Sequence, residues 1–169
     1  KVHINAYPDK VFEGKVSYVL PTLDAATRTV PVRIELANPG DAPFPAPQMA
    51  ALEMLLRGVM ARWAIPPERV IGHSDMAPGR KRDPGPRFDW RRLARAGLSV
   101  WPGEGGDPRA PLGRSLRRLG YPEAAPEILL AAFRLRFRPW AEGPETAEDR
   151  ALADDLARRF PVDGGPRGA

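Results

Sequence analysis

Cysteine is absent from this 169-residue chain. That excludes disulfides, thiolate metal sites and a cysteine nucleophile, and leaves the redox compartment open. Histidine occurs only as His3 and His73, and lysine only as Lys1, Lys10, Lys15 and Lys81, so arginine supplies nearly all of the 26 basic side chains. The arginines are interleaved with Asp and Glu, form no run along one face and have no aromatic partners in series, which argues against a nucleic-acid-binding stripe. The formal charge of +5 suits an anionic polymer such as a cell-wall glycan. No apolar run approaches the ~20 residues needed to cross a bilayer. Lys1 is neither an initiating Met nor part of an apolar leader, so a processed chain or a piece of a longer one is expected, with any export signal upstream.

What is abundant is proline and glycine, 21 and 16 residues respectively, a composition that favours short elements joined by turns. Lys15–Leu20 and Thr29–Leu36 carry β-branched and aromatic residues in rough alternation and predict strands. The proline-rich stretch from Asn38 to Pro47 ends that character. From Gln48 to Trp63, residues Met49, Leu52, Leu55, Leu56, Val59, Met60 and Trp63 fall at helical spacing and predict a core-facing helix, stopped by Pro66-Pro67. Arg69–His73 predicts a short buried strand opening into a polar loop. Asp89 is placed to cap a helix over Trp90–Ala96, with Gly97 at its end. Gly103–Pro108 reads as linker. Helices are then expected at Leu112–Leu119, Pro126–Phe137 and Ala147–Phe160, the last opened by a capping box of Thr146 and Asp149.

The chemistry-bearing residues cluster between 70 and 90. His73 follows an apolar stretch at the mouth of a loop, and Asp83 precedes a proline that restricts its backbone. Lys81, flanked by Arg80 and Arg82, is the only lysine after Lys15. Its compact charge can approach a developing oxyanion more closely than a planar guanidinium. A catalytic zinc takes three protein ligands from His and carboxylates and keeps one position open. Two such ligands are visible here, although His and Asp at this spacing also occur as ordinary loop residues.

The string Gly72-His-Ser-Asp-Met-Ala-Pro-Gly-Arg-Lys-Arg-Asp-Pro-Gly-Pro-x-Phe-x-Trp90 resembles the closing motif of zinc-dependent type-2 N-acetylmuramoyl-L-alanine amidases. Pro43-Phe-Pro-x-Pro-Gln-Met-x-Ala-Leu52 and Ile65-Pro-Pro-Glu-Arg-Val-Ile71 resemble the same family. The resemblance implies a zinc cofactor (Zn2+) held by His73 and Asp83, with Lys81 steadying the tetrahedral intermediate. It also implies peptidoglycan or muropeptides as partners and a periplasmic or cell-envelope location. Leu119-Gly-Tyr121, Ala131-Ala-Phe-Arg-Leu-Arg-Phe-Arg-Pro139 and the Glu145-Thr146 pair resemble a small three-helix peptidoglycan-binding module.

The front end differs. Residues Ala6–Pro39 resemble a β-barrel segment of periplasmic adaptor (membrane-fusion) subunits of efflux pumps. The two resemblances meet at Ile34-Glu-Leu-Ala-Asn-Pro-Gly40, a string near to one both families use, which puts Glu35 in register with the amidase general base. The amidase pattern also requires a first histidine ligand upstream. His3 lies too close to Glu35 for that layout, so the third zinc ligand has no equivalent here.

The fold class expected is α/β (α+β): a truncated amidase-type mixed sheet with flanking helices, followed by a small three-helix module. The expected divisions are an adaptor-like β segment over 1–38, the C-terminal half of an amidase domain over 39–102, a linker over 103–111 and the helical module over 112–162. Three functions follow: hydrolysis of the N-acetylmuramoyl-L-alanine bond, non-catalytic wall binding, or membership of an efflux assembly.

Overall fold

The computed structural model describes residues 2–3, 11–12, 16–19, 32–34, 36 and 38–162. The strands β1 (Val2–His3) and β2 (Val11–Phe12) pair antiparallel, as do β3 (Val16–Val19) and β4 (Val32–Ile34). The β3–β4 ladder is interrupted by an irregularity between Val16 and Tyr18. The expected mixed sheet is therefore not formed among the described residues, whose strands make two separate two-stranded pairs.

Helix α1 spans Ala46–Trp63. Proline at its first turn costs no hydrogen bond, because the leading N–H groups of a helix have no internal acceptor. Ala64 turns left-handed at its end, and Pro66 and Pro67 prevent continuation. Met49, Leu52 and Leu56 form its buried stripe, whereas Trp63, expected in the core, is exposed and carries Arg62 over its ring.

The segment expected as a buried strand at Arg69–His73 is not one. Pro67–Arg69 forms a single 3-10 turn, Val70 and Gly72 are extended, and Ile71 is 48% exposed. The segment has no neighbouring strand among the described residues; side chains take that role. The Val70 carbonyl accepts from Arg136 Nη2 at 3.1 Å and from Ser99 Oγ at 3.4 Å. Extended backbone is stable without a sheet when its polar groups find such partners.

The short helix α2 (His73–Met76) follows, then a turn-rich loop to α3 (Trp90–Arg95), capped as expected by Asp89, whose carboxylate accepts the Arg92 N–H at 2.9 Å. Helices α4 (Leu112–Leu119), α5 (Pro126–Phe137) and α6 (Ala147–Arg159) coincide almost residue for residue with the sequence expectation, and the Thr146–Asp149 capping box is formed.

Two cores result. One gathers Met49, Leu52, Leu56, Phe88, Trp90, Leu93 and Leu98, with Ile34 and Leu36 packed against it. The other, built on α4, α5 and α6, centres on Leu116, Phe133, Ala153 and Leu156. Trp101 packs against both cores and lies 5.6 Å from the Phe137 ring. Between them, residues 103–109 are strapped to α6. Gly103 and Asp107 donate backbone N–H groups to Asp155 and Asp154 at 2.7 and 2.9 Å, and Arg150 donates to the Pro108 carbonyl at 2.7 Å. At Gly106 a Cβ would stand 1.7 Å from the Ala151 carbonyl oxygen, so only glycine lets the strap lie this close.

Candidate active site

His73 is the first residue of α2, and Asp83 lies near the far end of the loop that follows. The loop returns on itself because the Ser74 N–H donates to the Asp83 carbonyl at 3.1 Å. That closure brings the side chains together: His73 Nδ1 stands 3.1 Å from Asp83 Oδ2. The imidazole is 18% exposed and the carboxylate 59%, so the pair opens to solvent on the carboxylate side.

The Asp83 end of the loop is braced from behind. Gly40 and Gly85 both have positive φ, and a Cβ on Gly85 would meet the Gly40 backbone at 2.6 Å. The two chain segments touch through bare backbone, and Arg87 N–H donates to the Gly40 carbonyl at 3.3 Å. Phe44, Phe88 and Trp90 stack edge-on beneath, with centroid separations of 5.0 and 4.8 Å.

Two ligands of one tetrahedral zinc, each bonded at about 2.0–2.1 Å, stand about 3.3 Å apart. The 3.1 Å His73–Asp83 contact is a direct side-chain hydrogen bond; its length is also close to that edge and the donor types are those zinc accepts, so the pair is compatible with two positions of such a centre. Among the described residues no group of three His, Cys, Asp or Glu gathers as a metal site. Lys81 is exposed in the same loop, its backbone N–H donating to Ala77 at 3.0 Å, and its ammonium has no ion-pair partner among the described residues. Glu35 lies outside the described residues, as does the side chain of His3.

Behind the pair lies a buried polar cluster that the sequence pattern did not single out. Asp75 and Arg136, each 4% exposed at the side chain, form an ion pair at 2.7 Å. Asp75 also accepts the Tyr121 hydroxyl at 2.5 Å and the Gly72 N–H at 2.9 Å. Arg136 Nη2 donates to Ser99 Oγ at 3.0 Å, and the guanidinium lies 4.2 Å above the Trp90 ring. Burial, followed by the neighbouring Asp75 charge, holds the Tyr121 phenol well above its ordinary pKa, so it remains a donor. One signal for this cluster was legible. Arg136 stands two residues from both Arg134 and Arg138, so it leaves the opposite side of the helix from that pair, and with apolar residues between them arginine is placed on both sides.

Much of this fold is shared with part of two proteins of known structure. AmiD of E. coli, solved with the substrate anhydro-N-acetylmuramic acid-L-Ala-D-gamma-Glu-L-Lys, superposes with a TM-score of 0.61 at 37% identity, covering 70% of this chain and 54% of AmiD. AmpDh3 of Pseudomonas aeruginosa, in complex with anhydromuramic pentapeptide, gives 0.62 at 32% identity over 72% of this chain and 56% of that one.

By sequence, the chain is homologous to N-acetylmuramoyl-L-alanine amidases. It is 36% identical to E. coli AmiD over 142 residues, 72% of this chain and 51% of AmiD. It is 38% identical to the 1,6-anhydro-N-acetylmuramyl-L-alanine amidase AmpD of Enterobacter cloacae over 62 residues, a third of that protein. The chain thus spans about half the length of AmiD. A family model described as the CusB-like, beta-barrel domain matches residues 1–49.

Proposed function

We propose that this chain carries the second half of a zinc-dependent peptidoglycan amidase site. Its target is the bond between N-acetylmuramic acid and L-alanine in peptidoglycan or muropeptides, in the periplasm or cell envelope. The observation that carries the proposal is the 3.1 Å approach of His73 Nδ1 to Asp83 Oδ2, in a chain homologous to amidases.

His73 and Asp83 would hold the zinc. The pattern's third ligand, a histidine, has no equivalent in the part of this chain that matches the pattern. The chemistry a bound zinc supplies is Lewis acidity, polarising an amide carbonyl and acidifying water. Lys81 then neutralises charge growing on the carbonyl oxygen. Glu35, adjoining Ile34 and Leu36 that pack on the core, takes a proton from the attacking water and returns it to the departing amide nitrogen. The carbon–nitrogen bond breaks, leaving a carboxyl group on the muramic acid and a free amine on L-alanine.

By the same reading residues 112–162 form a peptidoglycan-binding module and residues 1–38 an adaptor-derived β segment, separated from the module by residues 39–102 and the linker 103–111. Two alternatives have an observation each. The three-helix segment has its own core, which suits a non-catalytic wall-binding fragment. The CusB-like match over residues 1–49 suits an adaptor fragment of an efflux assembly.

Metal analysis after dialysis separates the readings, with about one zinc per chain for the enzyme and none for the alternatives. Pull-down on insoluble peptidoglycan is positive for the enzyme and the wall-binding fragment and negative for the adaptor. His73→Ala should remove both zinc and amidase turnover. Turnover unchanged in that variant would overturn the mechanism.

A further inference from the structure

We propose that Tyr121 and Arg136 are positioning residues for the His73–Asp83 site, holding the histidine-bearing turn in place through Asp75. This rests on His73 and Asp83 being the metal ligands. It gives the helical segment a second role, since a module read as a wall anchor becomes part of the framework of the site.

The turn that presents His73 has little stability of its own. Helix α2 is four residues long, far below the length at which a helix persists unaided. Its start, at Gly72, has no side chain to cap it. The Asp75 carboxylate substitutes by reaching back to the Gly72 N–H at 2.9 Å. That carboxylate is itself buried, and a buried carboxylate is tolerated only with donors around it. Its remaining donors come from the helical segment, with Tyr121 Oη on one oxygen at 2.5 Å and Arg136 Nη1 on the other at 2.7 Å.

Arg136 is equally constrained. Its second amino group donates to the Val70 carbonyl at 3.1 Å and to Ser99 Oγ at 3.0 Å. The rings of Trp90 and Phe137 lie 4.2 and 4.8 Å from its guanidinium carbon. One guanidinium therefore grips the chain on both sides of His73, at Val70 before it and at Asp75 after it. Neither Arg136 nor Tyr121 hydrogen-bonds His73, Lys81 or Asp83 in the structure; both act through Asp75 and the backbone. A two-point hold of this kind fixes the direction in which the imidazole leaves the turn. Groups that orient a metal ligand tune metal affinity, and here the orientation passes through Asp75 and the Val70 backbone.

The test compares the full chain with Tyr121→Phe, Arg136→Met and Arg136→Lys. Two readouts are taken: hydrogen exchange at the Ser74, Asp75 and Ala77 amides, and zinc affinity by titration with the metal alone. Tyr121→Phe should speed exchange at those three amides tenfold or more, while amides inside α5 and α6 keep their protection; Arg136→Met should speed the three amides by at least tenfold more than it speeds those of α5 and α6. Zinc affinity should also fall, though by less than the roughly 10–100-fold seen when a direct hydrogen-bond partner of a ligand is removed. Arg136→Lys should recover part of the protection, because an ammonium can serve Asp75 but cannot also span Val70 and Ser99. Unchanged exchange at the three amides in folded variants would overturn the proposal. Should Arg136→Met fail to fold, Tyr121→Phe decides, since it removes a single hydroxyl. If the parent chain binds no zinc, the ligand assignment falls, while the exchange comparison still decides whether the helical segment holds the turn.

Discussion

At the scale of single residues the site separates exposed chemistry from buried support. Lys81 and Asp83 face solvent, whereas Asp75 and Arg136 are enclosed. The two groups should respond to mutation in opposite ways. Lys81→Ala removes a side chain with no ion-pair partner among the described residues, so stability in urea should stay within about 0.5 kcal/mol of the parent. If Lys81 meets the oxyanion, the same change lowers turnover by about 10²–10³-fold. Arg136→Met leaves the Asp75 carboxylate buried and short of a partner, a loss that typically costs about 3–5 kcal/mol. Urea midpoints of the two variants, measured side by side, check both expectations. The string that surrounds His73 and Asp83 led us to expect the two side chains together, and they stand 3.1 Å apart. Asp75 lay in the same string but gave no sign of its role, because its donors sit 46 and 61 residues away.

Among the elements, the helices were the most legible. Each of α4, α5 and α6 is bounded by local signals: proline or a capping residue at the start, and glycine or a break in apolar periodicity at the end. The α6 cap also holds a carboxylate in its charged form. Asp149 is fully buried, which raises its pKa, but hydrogen bonds from Arg134, the Thr146 backbone, Arg138 and the Thr146 hydroxyl outweigh burial. Its carboxyl therefore titrates well below the ordinary carboxylate range. A lowered folded-state pKa stabilises the fold above the unfolded value of about 3.9 and is lost as pH falls below it. Thermal unfolding should thus show a drop in midpoint on acidification from pH 4 towards pH 2. In Asp149→Asn the midpoint should be lower at pH 7 and flatter across that acid range. An unaltered acid slope in the variant would assign the drop to other carboxylates. Of the strand expectations, Lys15–Leu20 and Thr29–Leu36 contain β3 and β4, whereas Arg69–His73 failed. Arg69–His73 has strand composition, yet side chains of Ser99 and Arg136 serve the Val70 carbonyl that a ladder would otherwise use.

For the whole molecule, the point of interest is how two cores are held to each other. Residues 103–111 have the composition of a flexible linker, but acidic side chains of α6 receive their N–H groups and arginines of α6 take their carbonyls. Trp101 and the Asp75–Arg136 pair add an apolar and an ionic contact across the same boundary. Gly106→Ala should destabilise the chain by about 1–3 kcal/mol or more, as overpacking does, because its methyl would overlap the Ala151 carbonyl. Limited proteolysis should then cut within 103–111 faster than in the parent. Equal cutting rates would mean that the strap does not protect this segment.

By itself the sequence determined the helical elements, their ends and the string that unites His73, Lys81 and Asp83, because these depend on neighbours within a few residues along the chain. Only the tertiary structure decided that the linker is pinned, that Arg69–His73 pairs with side chains, and that Tyr121 and Arg136 reach the turn bearing His73. Those outcomes depend on which buried donor finds which buried acceptor. That choice is made by the packing of segments far apart in sequence, where most enclosed polar groups must find partners at once.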